Sequence, residues 1–457
     1  MRESQLRIGL VFTVLSLMGL LVPSPSAGQG AVLWQQNLNG TASGIERGNS
    51  VTADAQGNVV AAGRTVNSGT GEDFTVAKFD RNGTLLWQQN LDGTVSGDDE
   101  ATSVTIDSQG DVVAAGVTQN GANDDFTVVK FDRNGTLLWQ QTLNGTANGV
   151  DVARSVTVDH QGNVFAAGQT ENTGSGLADF TVVKFDVNGT LLWQQDLNGS
   201  AINASDEATS VAVDHQGNVF AAGQTENIGT GFDFTVVKFD GNGTLLWQQH
   251  LNGTANGGVG SLDDASSVAV DHQGNAMAAG QTENSGTGVD FTVAKFDRNG
   301  TLLWQKDING SANGVDDAAS VAVDQRGDVV AAGLTQNSST GFDFTVVKVE
   351  GNGTLLWQQD LNGTANGTDF ARSVAVDQRQ NVIAAGRTQD VVSGNDFTVA
   401  KFDRNGVPIW QQNLNGTANG FDDGNAVAVD SQGDVLAAGL AQNTTTGFDF
   451  AVVKLQR

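Results

Sequence analysis

Residues 210–249 read SVAVDHQGNVFAAGQTENIGTGFDFTVVKFDGNGTLLWQQ, and versions of this stretch follow one another from near residue 30 to the C-terminus. Eight tryptophans mark the register: Trp34, Trp87, Trp139, Trp193, Trp247, Trp304, Trp357 and Trp410. Their mean spacing is (410 − 34)/7, about 54 residues. A fixed period of that size points to a propeller or a solenoid. Within the unit, 210–214, 218–225, 233–240 and 244–249 are rich in Val, Phe, Thr, Leu or Trp and bounded by Gly, Asn and Asp. These are strand signals. No segment carries a sustained 3.6-residue apolar period, so helices are not expected.

The first and third connections, Asp214-His-Gln-Gly217 and Asp240-Gly-Asn-Gly243, suit tight hairpin turns. The Asp can hydrogen-bond its own backbone, and Gly accepts a positive φ. The second connection and the link between copies are longer and vary. Variable loops therefore emerge at one end of the strands and tight turns at the other. In one copy Gln380 replaces the turn glycine, which predicts a looser turn or one of another type.

Met1–Arg7 is short and carries Arg2 and Arg7, residues 8–22 are apolar, and Pro23, Ser24, Pro25, Ser26 and Ala27 follow. This reads as a secretory signal peptide over 1–27, cleaved near 26–28, with one domain over 28–457. The run is short for a membrane span, and no later segment could cross. The first repeat element, 31–38, is a fourth strand with no first three before it. The chain ends at 448–457 on a third strand with no fourth after it. The economical arrangement is all-β: an eight-bladed β-propeller of four-stranded antiparallel blades, closed by the N-terminal strand joining the last blade. Closure also removes the edges of an open array. Pro408 then lies in an outermost strand, where an N–H is dispensable.

Every copy carries Ala-Ala-Gly in its second strand, read as close packing where blades converge. Every copy also carries a lysine in its third strand (Lys78, Lys130, Lys184, Lys238, Lys295, Lys348, Lys401, Lys454) and an aspartate at its first turn. Both lie at the tight-turn end and read as ion-paired structural partners. His160, His215 and His272 occupy equivalent turns of adjacent copies. Because each lies in a different blade, they read as solvent-facing turn residues and not as metal ligands.

SVAVDHQGNVFAAGQT resembles the bacterial SBBP repeat, a propeller repeat of secreted and surface proteins, over nearly all of 31–457. The Asp-x-x-Gly-x-x-x-Trp hairpin, as in Asp132/Gly135/Trp139, is similar to quinoprotein propeller repeats, where the tryptophan docks between blades. The first resemblance implies a fold and a secreted, periplasmic or cell-surface location, and no particular activity. Quinoprotein dehydrogenases carry a vicinal cysteine pair in the cofactor pocket. This chain has no cysteine, so that cofactor does not carry over.

Lys and Arg number 23 against 51 Asp and Glu, a net charge of −28. Removing Arg2, Arg7 and Glu3 with the leader gives −28 − (2 − 1) = −29. Such a chain repels nucleic acid and anionic membrane. With no cysteine, stability rests on blade packing and ring closure. Acids gather in the loops leading into first strands, including Asp263, Asp264, Asp316, Asp317, Asp422 and Asp423. On the variable face these would surround the channel mouth, where a carboxylate ring could hold calcium. No cofactor is otherwise predicted. Arg154 and Arg372 interrupt the acids in copies three and seven, which face each other across an eightfold ring. They could clamp an anionic ligand, or pair locally with Asp151 and Asp369.

No nucleophile–base–acid set, phosphate loop or metal-ligand spacing stands out, so no catalytic residue is assigned. Near-identity of the copies favours a monomeric, non-enzymatic propeller that binds a protein or glycan on its variable loop face. The alternatives are a polysaccharide hydrolase or lyase using Asp263/Asp264 and Asp316/Asp317 as acid and base, and a structural envelope component. The longest non-repeat insertion, 257–262, is a further candidate for the binding face.

Overall fold

The computed structural model describes residues 28–457 apart from 148, 174–176, 202–203 and 256–261. The expected signal peptide and nearly all of the 257–262 insertion lie outside the described residues. Among the described residues every long element is a strand, and none is a helix long and apolar enough to cross a membrane. The strands form eight sheets whose long strands pair antiparallel, and in blade 1 the two-residue strand Gly97–Asp98 adds a parallel pairing. Seven run in chain order from first strand to fourth; blade 4, for instance, is Glu207–Val213, Val219–Asn227, Gly231–Phe239 and Leu245–Leu251. In the eighth, the outer strand is Val32–Leu38, paired antiparallel with Gly447–Leu455 so that Leu38 faces Phe450. The propeller is closed by its two chain ends. Here blade 1 begins at Arg47 and blade 8 at Asp423.

Each second strand is buried on both faces, because blades stack against it from either side. Ala221 packs with Phe165 and Phe180 of blade 3, and Ala222 with Val268 and Phe296 of blade 5. The next residue, Gly223, lies so close to the inner strand that a Cβ would sit 1.9 Å from the Glu207 carbonyl oxygen. Alanine and glycine here are the condition for the blades to converge. Buried phenylalanines such as Phe220, Phe234 and Phe239 supply the apolar area, each worth roughly 1.5–3 kcal/mol on burial.

Two further devices stitch neighbouring blades. The inner-strand serine of one blade accepts a hydrogen bond from a backbone N–H of the next, as in Val211 N to Ser155 Oγ (3.2 Å) and Val268 N to Ser210 Oγ (3.2 Å). Blade 8 has Ala426 at that position, and Asn425 Nδ2 bonds the Gly48 carbonyl (2.8 Å) across the closing seam instead. The tryptophans dock as the hairpin likeness implies. Trp139 Nε1 donates to the Val187 carbonyl of the next blade (3.1 Å), and its ring packs on Gly189, which has φ +83°. Trp410 departs from the rule. Its acceptor would be the outer turn of blade 8, which the chain ends interrupt; the ring packs on Gly30 and its buried Nε1 has no partner.

The Asp377–Gln380 turn is not looser. Gln380 N bonds the Asp377 carbonyl at 2.8 Å, as the glycine turns do, and Gln380 takes φ +66°. The Asp377 carboxylate holds the turn through Arg379 N and Asn381 N and overrides the side chain's preference.

Candidate functional site at the channel mouth

Inner strands begin at the variable-loop end, and their first residues ring the mouth of the channel. In order these are Arg47, Glu100, Val152, Glu207, Asp264, Asp317, Phe370 and Asp423. A one-residue bulge follows in every inner strand, between Ala208 and Ser210 in blade 4. The bulged residue is Arg154 in blade 3 and Arg372 in blade 7. Bulges re-aim a side chain, and here they send the arginines sideways towards the next blade.

The acid just before each inner strand does not face the channel. Asp263 Oδ1 accepts from Glu283 N (2.6 Å) and Oδ2 from Gly253 N (3.1 Å). Asp316 does the same with Gln336 N (2.5 Å) and Gly310 N (3.0 Å), and Asp422 Oδ1 accepts from Gln442 N (2.6 Å). All three are buried. Burial pushes Asp263 and Asp422 up to about 6 and raises Asp316, against the pull of the backbone donors. Each is a clamp joining the incoming loop to the end of a second strand. Within each Asp-Asp pair the two carboxylates therefore diverge, one into the loop and one into the mouth.

The mouth-facing acids have unequal surroundings. The preceding blade can offer each of them its bulged residue and the residue after Ala-Ala-Gly, and blade 1 also offers Arg47, the first residue of its inner strand. Asp423 receives Arg372 (2.8 Å) and Arg387 (3.0 Å) from blade 7. Glu100 receives Arg47 (2.7 Å), with Arg64 at 3.8 Å. Glu207 receives Arg154 (2.5 Å). For Asp264 and Asp317 the corresponding residues are Thr209 and Gln224, then Ser266 and Gln281, and none is a cation. No ion pair reaches either acid among the described residues, and Asp264 Oδ1 is buried without a hydrogen-bond partner. Burial first, then the charges of Asp317 and Glu207, push Asp264 up to about 7; burial pushes Asp317 up to about 6.

Arg154 and Arg372 thus pair with neither Asp151 nor Asp369. Those acids are spent on their own loops, Asp151 on Gly145 N and Glu171 N, Asp369 on Gly363 N and Gln389 N. The arginines bridge instead to the next blade. Arg64 and Arg387 escaped the sequence reading; the signal was arginine after Ala-Ala-Gly. Of the six acidic candidates, the structure leaves Asp264 and Asp317 as the unneutralised pair, on adjacent blades.

Carboxylate oxygens close enough to share an ion occur elsewhere. Those of Asp73, Asp92 and Asp99 lie within 4.8 Å of one another at the seam of blades 1 and 2. Asp92 stands where the other seven copies have asparagine. These three residues could hold a cation.

Comparison with known proteins fits this architecture. The family profile described as outer membrane protein assembly factor BamB (PQQ_2) matches residues 22–233 and 178–438, together most of the chain. The chain belongs to this BamB-type propeller family. Outside it, an uncharacterized WD repeat-containing protein of Acanthamoeba polyphaga mimivirus is 20% identical over 78% of the chain. The chain spans 36% of the length of that curated relative. Two crystal structures of Sqt1 from Chaetomium thermophilum superpose with TM-scores of 0.60 and 0.59, at 10% and 12% identity. They cover 94% of this chain and 99% and 98% of their own, a likeness of fold alone. For this BamB-type chain, family membership establishes a propeller repeat protein.

Proposed function

We propose that this protein is a secreted or envelope-associated, non-enzymatic propeller scaffold whose variable loop face docks a cationic segment of a protein partner. The observation that carries the reading is the arc of blades 4 to 6, where Glu207, Asp264 and Asp317 line one side of the mouth with a single arginine among them. A lysine or arginine entering there would lower the cost of ionising two half-buried carboxyls, which supplies both attraction and orientation. The description of the matched family as an assembly factor supports a scaffold role in the envelope, as does the sequence's leader-like start. Affinity capture from an envelope extract tests it. Wild-type protein should retain a basic partner that the double variant Asp264→Asn/Asp317→Asn does not, and retention by both would remove the arc from the docking surface.

One observation favours a second reading, an extracellular polysaccharide hydrolase. Burial raises both Asp264 and Asp317, on adjacent blades of the mouth, and a carboxyl held protonated near neutral pH is what glycoside cleavage needs as its general acid. Screening soluble polysaccharides with wild type and each single Asp→Asn variant decides it: turnover abolished by either substitution supports hydrolysis, and no turnover by wild type removes it.

A further inference from the structure

At the tight-turn end, the first hairpin of each blade places its second residue beside that of the next blade. Around the ring these residues are Ala55, Ser108, His160, His215, His272, Gln325, Gln378 and Ser431. The three histidines do not stand apart, although each belongs to its own blade. His160 Nε2 lies 2.9 Å from His215 Nδ1, and His215 Nε2 lies 3.3 Å from His272 Nδ1. The paired ring planes are within 7° and 8°, and the ring centres are 5.2 and 5.5 Å apart. Each centre-to-centre distance is about the nitrogen gap plus one ring radius at either end. The rings therefore lie edge to edge in a row, nitrogen facing nitrogen.

The row stands on a rigid base. Asp159 Oδ1 accepts from Gln161 N (2.9 Å) and Asn163 N (2.9 Å), and Oδ2 from Asn163 Nδ2 (2.7 Å). Asp214 and Asp271 hold their turns in the same way. The lysines behind are engaged too. Lys184 bonds the Gly241 carbonyl (2.8 Å), Lys238 the Arg298 carbonyl (3.1 Å), and Lys295 pairs with Asp271 (3.5 Å). The carboxylates are turned into the hairpins, while the imidazoles are exposed at the surface. The available donors are ring nitrogens.

Two imidazole nitrogens bound to one ion at about 2.0–2.1 Å each lie about 2.9–3.4 Å apart, depending on the coordination angle. Both gaps in the row fall in that range. The facing nitrogens lie within hydrogen-bond distance, and an ion enters between a pair once the exposed rings tilt so that their lone pairs converge. Imidazole donors without thiolate or carboxylate suit copper, nickel and zinc. A neutral imidazole offers one lone pair, so His215 can serve only one neighbour at a time.

The geometry points to a surface site for one divalent ion of the copper, nickel or zinc kind, chelated by His215 together with either His160 or His272. His215 is the obligatory ligand and the flanking histidines substitute for each other. The fourth histidine, His250, bonds Thr235 Oγ1 (3.0 Å) on the outer strand of blade 4 and takes no part.

Titration calorimetry with Zn²⁺ on untagged protein tests this. His215→Gln should weaken the site at least tenfold. His160→Gln and His272→Gln should each weaken it about twofold, since one pair remains. His250→Gln should leave it unchanged. All four positions lie on the surface or at an outer edge, and thermal unfolding of each metal-free variant reports its fold independently. Equal losses from the three row variants, an unaltered isotherm for His215→Gln, or no uptake by wild type would each overturn the assignment.

Discussion

The two ends of the propeller handle charge in opposite ways. At the tight-turn end, seven of the eight third-strand lysines reach the turn aspartate of their own blade, from 2.7 Å in Lys130–Asp107 to 3.9 Å in Lys238–Asp214. These pairs are buried and repeat with the fold, so the lysines and turn aspartates of this end are spent on the hairpins themselves. At the variable-loop end the acids outnumber the cations, and neutralisation depends on which blade supplies an arginine. Repetition builds the first end and departures from repetition build the second. The difference separates residues kept for the fold from residues that give this ring a direction.

The greatest loss should come from opening one buried pair. Lys130→Met leaves Asp107 buried with no cation, which costs about 3–5 kcal/mol. Lys184 has no ion pair among the described residues; it bonds the Gly241 carbonyl and lies 5.0 Å over the Phe165 ring. Lys184→Met should cost distinctly less, and urea unfolding of both variants measures the gap. Equal losses would mean that the pairing is not what stabilises that end.

At the other end, neutralising acids should stabilise. A carboxyl with a raised folded-state pKa binds protons more tightly in the folded chain. Its contribution is full below about pH 4 and is lost as pH rises through the folded value. For Asp317 and Asp264 those values are about 6 and about 7. Asp264→Asn/Asp317→Asn should therefore raise stability by roughly 2 kcal/mol at pH 8, since each tenfold gain in proton affinity is worth about 1.4 kcal/mol before solvent screening reduces it. At pH 4 it should change little. Thermal unfolding across that range reads the difference.

Two smaller effects probe the same contrast. Gln380→Gly relieves a left-handed glutamine and should add about 0.5–1 kcal/mol to the stability read by urea unfolding. Arg154→Ala removes an ion pair whose arginine side chain is 43% exposed, so unfolding should register less than about 1 kcal/mol. Its effect should appear instead as tighter binding of a cationic probe at the mouth.

The ring, its eight blades and its closure were legible because each is written eight times in the chain. The half-repeats at 31–38 and 448–457 located the seam. The docking of Trp139 was implied by the likeness of its hairpin to quinoprotein propeller repeats, whereas the loss of that acceptor at Trp410 follows from where the chain ends meet. The mouth was read only in part. Adjacent acids such as Asp263 and Asp264 look alike in sequence, and only the strand boundary between them sends one into backbone N–H groups and the other into the channel. The partners of Arg154 and Arg372 lie more than fifty residues away, one blade on, so a local search found Asp151 and Asp369 instead. His160, His215 and His272 are exposed at their turns as expected; that their rings meet in a row was not legible, since sequence separation of a whole repeat is contact distance near the axis.

If the free charge of the mouth lies on blades 5 and 6 and serves docking, a cationic peptide should find it. Calorimetric titration with an octalysine peptide is the decisive measurement, on wild type, on Asp264→Asn/Asp317→Asn, and on Asp80→Asn/Asp132→Asn, an equal loss of charge at exposed tight turns. At least a tenfold loss of affinity is predicted in the mouth variant and little change in the turn variant. Equal losses in both would mean that the peptide reads net charge alone, and the arc would not be a binding site.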